Sequence, residues 1–300
     1  MAAPIARGRL QSIPNGLVFS NMSTTTNAPP FRDFARFWRS PLVPGADMLT
    51  AEYREHEFAP HWHEAYTVPV IEAGAEAYAY CGARRVAEAG SVPIVNPGEV
   101  HTGSRAIEAG WRYRVFYVPV DYVQRLADEM AGKPQPLPWF PLEPIRDADL
   151  AARIGHAHRV LEAGADSLAG ETALVDALST LLVRHAQRRT DAARPAADAP
   201  RVATMKARLA ANLVEPVTLT ELAEAVGLSP FHAARLFAQA TGLPPHAWRN
   251  QLRLQRALAP LRAGASITEV AAASGFTDQS HFTRHFRRMF GVPPGRWQAG

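Results

Sequence analysis

Three histidines sit where imidazoles can converge. His61 and His63 flank Trp62, and His101 ends the run Pro97-Gly98-Glu99-Val100-His101. Residues i and i+2 of a strand share a face, so His61 and His63 point the same way, and His101 can meet them from a neighbouring strand. Neutral imidazoles in that arrangement bind a divalent metal, hydrogen-bond a polar ligand, or satisfy one another in a core. The pocket expected around them comprises His61, His63, Tyr66, Tyr78 and His101. Trp62, Tyr80 and Arg112 are further candidates, because alternation alone does not say which of them face inward. No cofactor is expected. No nucleophile has a base at a useful spacing, and there is no phosphate-binding glycine loop and no strong carboxylate pair, so ordinary catalysis is disfavoured.

The second chemistry-bearing region is a two-fold repeat in the last hundred residues. Thr218-Leu-Thr-Glu221 and Ser266-Ile-Thr-Glu269 are capping-box sequences, each followed by an apolar helical face and a stop glycine, Gly227 or Gly275. A second helix then starts at Ser229, and at Thr277 or Asp278 in the other copy. Arg235 matches Arg284, Phe237 matches Phe286, Gly242 matches Gly291, Pro244-Pro245 matches Pro293-Pro294, and Trp248 matches Trp297. Each copy reads as helix, tight turn, helix. A linker helix from about 246 to 262 offers Trp248, Leu252, Leu258 and Leu261 to both copies. A rod of that length makes a spacing of about 34 Å between the two recognition helices, one duplex turn, geometrically accessible.

The outward side chains of the two second helices carry the base-reading chemistry. Gln279, Ser280, Thr283 and Arg284 face outward in the second copy, with Arg287 and Arg288 as phosphate contacts. In the first copy the outward set is Phe231, His232, Ala234 and Arg235. Arginine bridges guanine O6 and N7, glutamine pairs with adenine, and threonine meets a thymine methyl. The alternative for each arginine is a surface salt bridge.

Several elements must position these groups. Short β-rich runs at Met48 to Tyr53, Ala65 to Ile71, Ala75 to Tyr80, Ser91 to Val95 and Trp111 to Val120 are separated by turn residues such as Ala73-Gly74, which suggests a small barrel or sandwich. Two amphipathic helices follow, Asp147 to Ala163 and Ser167 to Arg189. In the second, Leu174, Leu178, Leu181, Leu182 and His185 form a stripe that serves either an internal core or a homodimer. The expected organisation is a flexible leader over 1–30, a barrel over 31–145, a helical extension and possible dimer interface over 146–190, a linker over 191–200, and the double helix-turn-helix over 201–300.

Charge follows the same division. Residues 201–300 carry 12 Lys+Arg against 5 Asp+Glu, whereas the first 200 carry 20 against 23. The basic surplus of the chain therefore belongs to the repeat, as a nucleic-acid-binding module requires. Hydrophobic residues make up 47% of the chain, which excludes disorder as its general state. The lone Cys81 makes no demand on an oxidising compartment, and no apolar run is long enough for a membrane helix, so a cytoplasmic, nucleoid-associated location without membrane contact is expected.

The last hundred residues resemble the DNA-binding domain of AraC/XylS-type bacterial transcription regulators. The likeness rests on Leu222-Ala223 with Gly227-Leu228-Ser229, on Arg235-Leu236-Phe237, and above all on Gly275-Phe276-Thr277-Asp278-Gln279-Ser280-His281-Phe282 leading to Phe286 and Gly291-Val292-Pro293-Pro294. Ala234 and Ala238 depart from the longer polar side chains common in the first copy. The histidine region is similar to the cupin-like effector domain of the same family. It departs from metal-dependent cupin enzymes, whose acidic ligand would fall at Thr67 or Val68, so no metal is expected, and His61, His63 and His101 as a metal set remain the alternative. The resemblance implies a multidomain α+β chain: an N-terminal cupin-like β-barrel with a helical extension, then an all-α domain of two helix-turn-helix motifs joined by a linker helix. It also implies a transcription regulator, commonly an activator, with double-stranded DNA, a small-molecule effector, RNA polymerase and a second copy of itself as partners. A metal-dependent cupin enzyme, or a metal sensor, with a DNA-binding tail is the rival reading.

Overall fold

The computed structural model describes residues 33–164, 166–187 and 198–300. The expected leader over 1–30 and most of the expected linker lie outside the described residues. Seven strands come first: β1 (Phe34–Trp38), β2 (Asp47–Tyr53), β3 (Phe58–His61), β4 (Tyr66–Tyr80), β5 (Ala83–Glu88), β6 (His101–Arg105) and β7 (Trp111–Val118). All their pairings are antiparallel, in the order β1-β2-β7-β4-β6-β3, with β5 on β4. The path ends at β1 and β3, so the small barrel expected from strand spacing is a curled half-barrel.

The two strands expected over Ala65 to Tyr80 are one bent strand. The register of β4 against β7 shifts between Ile71 and Ala73, and Gly74 has φ of +72°. A Cβ at Gly74 would lie 2.0 Å from the Gly110 carbonyl oxygen, so the local turn signal marks a bulge at a close backbone approach, not a hairpin. The bend lets Tyr66–Gly74 pair with β7 while Ala75–Tyr80 pairs with β5 and β6. Ser91 to Val95, expected as a strand, makes only isolated bridges through Val92 and Val95.

Ten helices follow among the described residues: α1 (Val120–Ala131), α2 (Ala148–Glu162), α3 (Ser167–His185), α4 (Ala199–Ala211), α5 (Leu219–Glu224), α6 (Pro230–Thr241), α7 (Pro245–Arg262), α8 (Ile267–Ala273), α9 (Gln279–Phe290) and α10 (Pro294–Ala299). Helices α2 and α3 cover the convex face of the sheet. Leu150, Ile154, Leu174, Leu178, Leu181 and Leu182 are buried there against Tyr66, Val68, Val70 and Phe116. The leucine stripe of α3 is thus consumed as internal core, and His185 turns to Asp147 at 3.0 Å, so this stripe is not the dimer face it was open to being. Helix α3 stops at His185, short of the expected Arg189, because Ala186 is extended and Gln187 bridges to Trp139.

The repeat folds as its caps dictate. Thr218 and Glu221 form a full capping box at α5, and the Ser266 hydroxyl accepts from the Glu269 backbone N–H at α8. Ser229 caps α6, and Asp278 caps α9. Helix α7 spans the two copies: Trp248 and Leu252 join the core of the first, while Leu254, Ala257 and Leu261 join that of the second. The linker region ends sooner than expected, because α4 already begins at Ala199. No helix of the described residues is long and apolar enough to cross a membrane.

Candidate nucleic-acid interface and sensing cavity

On α9 the periodicity separates a buried face from an exposed one. Phe282, Phe286, Met289 and Phe290 are buried, whereas Gln279, Ser280, Arg284, Arg287 and Arg288 are exposed and Thr283 is half-buried. Among the described residues, none of Arg284, Arg287 and Arg288 pairs with a carboxylate, so the salt-bridge alternative is not realised there. The Thr268 hydroxyl donates to Gln279 Oε1 at 2.7 Å, which fixes the glutamine amide against α8. Thr268 is absent from the residues expected at this face; its place at the third position of the repeated capping box is the signal that points to it.

The first copy presents less. Phe231 is 67% exposed at the start of α6, an apolar surface suited to a thymine methyl. Arg235 is exposed, as expected, but the His232 ring turns back so that Nδ1 lies 2.8 Å from the hydroxyl of its own cap Ser229. The counterpart in the second copy, His281, does the same with Thr277 at 2.9 Å. Two of the basic residues behind the charge surplus are structural. Arg249 donates to the Asn212 carbonyl at 2.7 Å and Arg253 to that of Leu213 at 2.8 Å, and burial pulls both guanidinium groups below their ordinary value.

The histidine cluster lies on the concave face of the half-barrel. Antiparallel register places His61 of β3 directly opposite His101 of β6. His63 has already left the strand, yet its ring centroid is 5.0 Å from that of His61 and 5.3 Å from that of His101. All three are buried. Desolvation holds His61 down to about 4 and lowers His63 and His101 well below the ordinary value, so the three are neutral imidazoles. They line a cavity of about 40 Å³ with Thr67, Glu76, Tyr78 and Tyr113. Burial pushes the Glu76 carboxyl up to about 8.

Not every expected pocket residue is there. Tyr78 lines the cavity, but Tyr66 faces the convex side and donates to the Pro138 carbonyl at 2.6 Å. Its strand position has the parity opposite to Thr67, which does face the histidines. Tyr80 is engaged by Asn96, and Arg112 is exposed on the outer face beside Glu72. Trp62 points away from its histidine neighbours and stacks on Trp248 of α7, with centroids 5.6 Å apart. Glu76, Thr67 and Tyr113 are absent from the expected set: Glu76 shares the face of Tyr78 two residues on, whereas Thr67 has the opposite parity because the face of β4 changes at the bulge.

The cavity and the DNA-reading domain are in contact through a short segment. Gln251 of α7 accepts from the Trp62 backbone N–H at 3.2 Å and donates to the Pro60 carbonyl at 2.7 Å, and Gln255 donates to the Trp62 carbonyl at 2.6 Å. Phe290 of α9 lies against His63, with centroids 6.2 Å apart. On its other side α9 borders a groove in which Gln279, Ser280, Thr283, Arg284, Arg287 and Arg288 face His56 and Glu57 from the loop before β3.

Comparison with known proteins matches these two regions separately. A family model described as an AraC-like ligand binding domain matches residues 43–178, and one described as a helix-turn-helix domain matches 222–300. The uncharacterized HTH-type transcriptional regulator YbfI of Bacillus subtilis is 26% identical over 225 residues, which cover 75% of this chain and 81% of that protein. Regulatory protein Ada of Salmonella typhimurium is 39% identical over 85 residues, 28% of this chain and only 24% of that protein. Among solved structures, an apo form of a ToxT variant from Vibrio cholerae has the same fold, with a TM-score of 0.54 at 12% identity over 89% of this chain and 96% of that one. With a ligand-binding half-barrel ahead of a double helix-turn-helix, the chain belongs to the AraC family of transcription regulators.

Proposed function

We propose that occupancy of the histidine cavity controls how the double helix-turn-helix meets DNA, with Gln279, Ser280, Thr283, Arg284 and, in the first copy, Phe231 and Arg235 reading bases while Arg287 and Arg288 hold phosphates. His232 contributes through its backbone and cap. The observation that carries this reading is the segment Pro60–His63, whose histidines form the cavity wall while its backbone is clasped by Gln251 and Gln255 of α7. A ligand that moves His61 or His63 moves the segment on which the DNA-binding domain is seated. In the docked arrangement, the Glu57 carboxylate borders the reading face where phosphates would lie, so docking opposes DNA binding. An effector then acts by its differential affinity for docked and released states.

The cavity alone is far smaller than the roughly 300–1,000 Å³ of an organic-ligand pocket. An adjoining crevice of about 610 Å³, lined by His63, Tyr117, Arg256, Arg262, Phe290 and Trp297, supplies the room and the route for a larger effector. The reading includes activation through contact with RNA polymerase in the cytoplasm, and pairing of two copies through the outer face of α3, where Leu168, Val175 and Val183 stand exposed. The reading keeps the boundary between 145 and 146, ahead of α2, and the linker over 191–200, where α4 begins at Ala199.

Selection of duplexes from a random pool by the full chain, followed by footprinting, tests this. Protection of two sites one helical turn apart supports it; diffuse, salt-sensitive binding without a selected sequence overturns it.

A further inference from the structure

We infer that His61, His63 and His101 form a site for one divalent transition-metal ion of the zinc and cobalt class, open on its cavity side. Each residue offers one nitrogen, and these nitrogens all lie within 4.8 Å of one another. Tetrahedral coordination at about 2.05 Å separates ligand nitrogens by about 3.3 Å, a closure that small ring rotations achieve.

The tautomers are set for it. His61 Nδ1 lies 2.8 Å from the Ala59 carbonyl, and His101 Nδ1 lies 3.3 Å from that of Glu99. A carbonyl only accepts, so in both rings Nδ1 carries the hydrogen and Nε2 the lone pair, which is how backbone carbonyls orient ligating imidazoles. Thr67 and Tyr78 line the same cavity, and their buried hydroxyls have no hydrogen-bond partner among the described residues. An ion held by three imidazoles keeps its double positive charge and an open position. A water or anionic oxygen bound there would give both hydroxyls a partner. The cavity of about 40 Å³ accommodates an ion with such a small ligand. Glu76 also lines the cavity, but the convergent ligand atoms are those of the three histidines, so the site is a three-nitrogen one, suited to binding rather than to a closed structural role.

This deepens the sensing role proposed for the cavity; the site itself is tested without DNA, and DNA affinity with and without zinc separates the site from sensing. The full chain is stripped with a chelator, exposed to excess zinc, dialysed against metal-free buffer and measured for zinc content. One equivalent per chain is expected, with a rise in thermal midpoint. His61→Ala/His63→Ala should lose the ion, and His63→Gln, checked by circular dichroism for a retained fold, should weaken it at least about 10-fold. The surface pair His281 and His285, with centroids 4.6 Å apart on α9, is the competing chelate. His281→Ala/His285→Ala should therefore keep the ion. Failure of the wild-type chain to retain zinc, or its loss only on removing the surface pair, overturns the site and leaves the sensing role standing. Retained zinc that does not alter DNA affinity upholds the site and counts against sensing alone.

Discussion

Trp62 and Trp248 stack with their planes 15° apart, one ring from the segment that carries the cavity histidines and the other from the helix that joins the two DNA-reading copies. Trp62 is 5% exposed although it belongs to a loop, because its burial is supplied by the other domain. Trp62→Ala should loosen docking and raise DNA affinity in the absence of effector by about 5-fold or more, within the usual range of coupling energies. Tyr66→Phe, at an equally buried ring on the convex side, should leave affinity unchanged while losing the bond to Pro138. Anisotropy titrations with a selected duplex check both; unchanged or weaker binding by Trp62→Ala would count against docking as the inhibitory state.

The three buried histidines should each make stability fall as the medium becomes mildly acidic. An unfolded histidine takes up a proton near pH 6.5, whereas burial holds folded His61 down to about 4. Between those values the unfolded chain binds more protons, so the contribution of His61 is full above about pH 6.5 and is lost progressively toward pH 4, amounting to about 3 kcal/mol. Glu76, raised to about 8, acts oppositely, its contribution being lost as pH climbs from about 4.5 to 8. His61→Gln should therefore flatten the acid side of the stability profile by up to about 1.4 kcal/mol per pH unit. Urea unfolding at several pH values measures the slope, and an identical slope in the variant would refute the assignment.

The two turn glycines of the repeat should respond differently to alanine. Gly275 has φ of +76°, and a Cβ there would lie 2.6 Å from the Leu213 carbonyl oxygen; Gly227 has φ of +65° with nothing within 4 Å. Gly227→Ala bears only the left-handed backbone cost of about 1 kcal/mol, whereas Gly275→Ala adds a backbone clash and should cost at least about 2 kcal/mol. Equal midpoints in thermal unfolding would contradict this difference.

The repeat is legible because its signals are local. Capping boxes, stop glycines and a 3.6-residue apolar period are all written within a few residues, and α5, α6, α8 and α9 appear where those signals place them. Helix α4 is not legible in the same way, because it has no counterpart signal and begins beside a proline-rich stretch. The half-barrel is harder to read. Strands β1, β3, β5 and β6 are short or polar, and their existence depends on pairing with distant partners. The bulge at Gly74 mimics a turn, and it reverses which residues of β4 face the cavity, so alternation puts Tyr66 on the wrong side and hides Thr67. His61 and His63 do share a side as their spacing implies, yet only register with β6 brings His101 opposite.

The central claim, that the exposed face of α9 reads DNA, is tested most directly by Arg284→Ala in the full chain, titrated against a selected duplex and a random one at two salt concentrations. The account predicts a loss of about 1–3 kcal/mol on the selected duplex, with little change on the random one. Equal losses on both would reduce Arg284 to a phosphate contact, and no loss on either would contradict the claim.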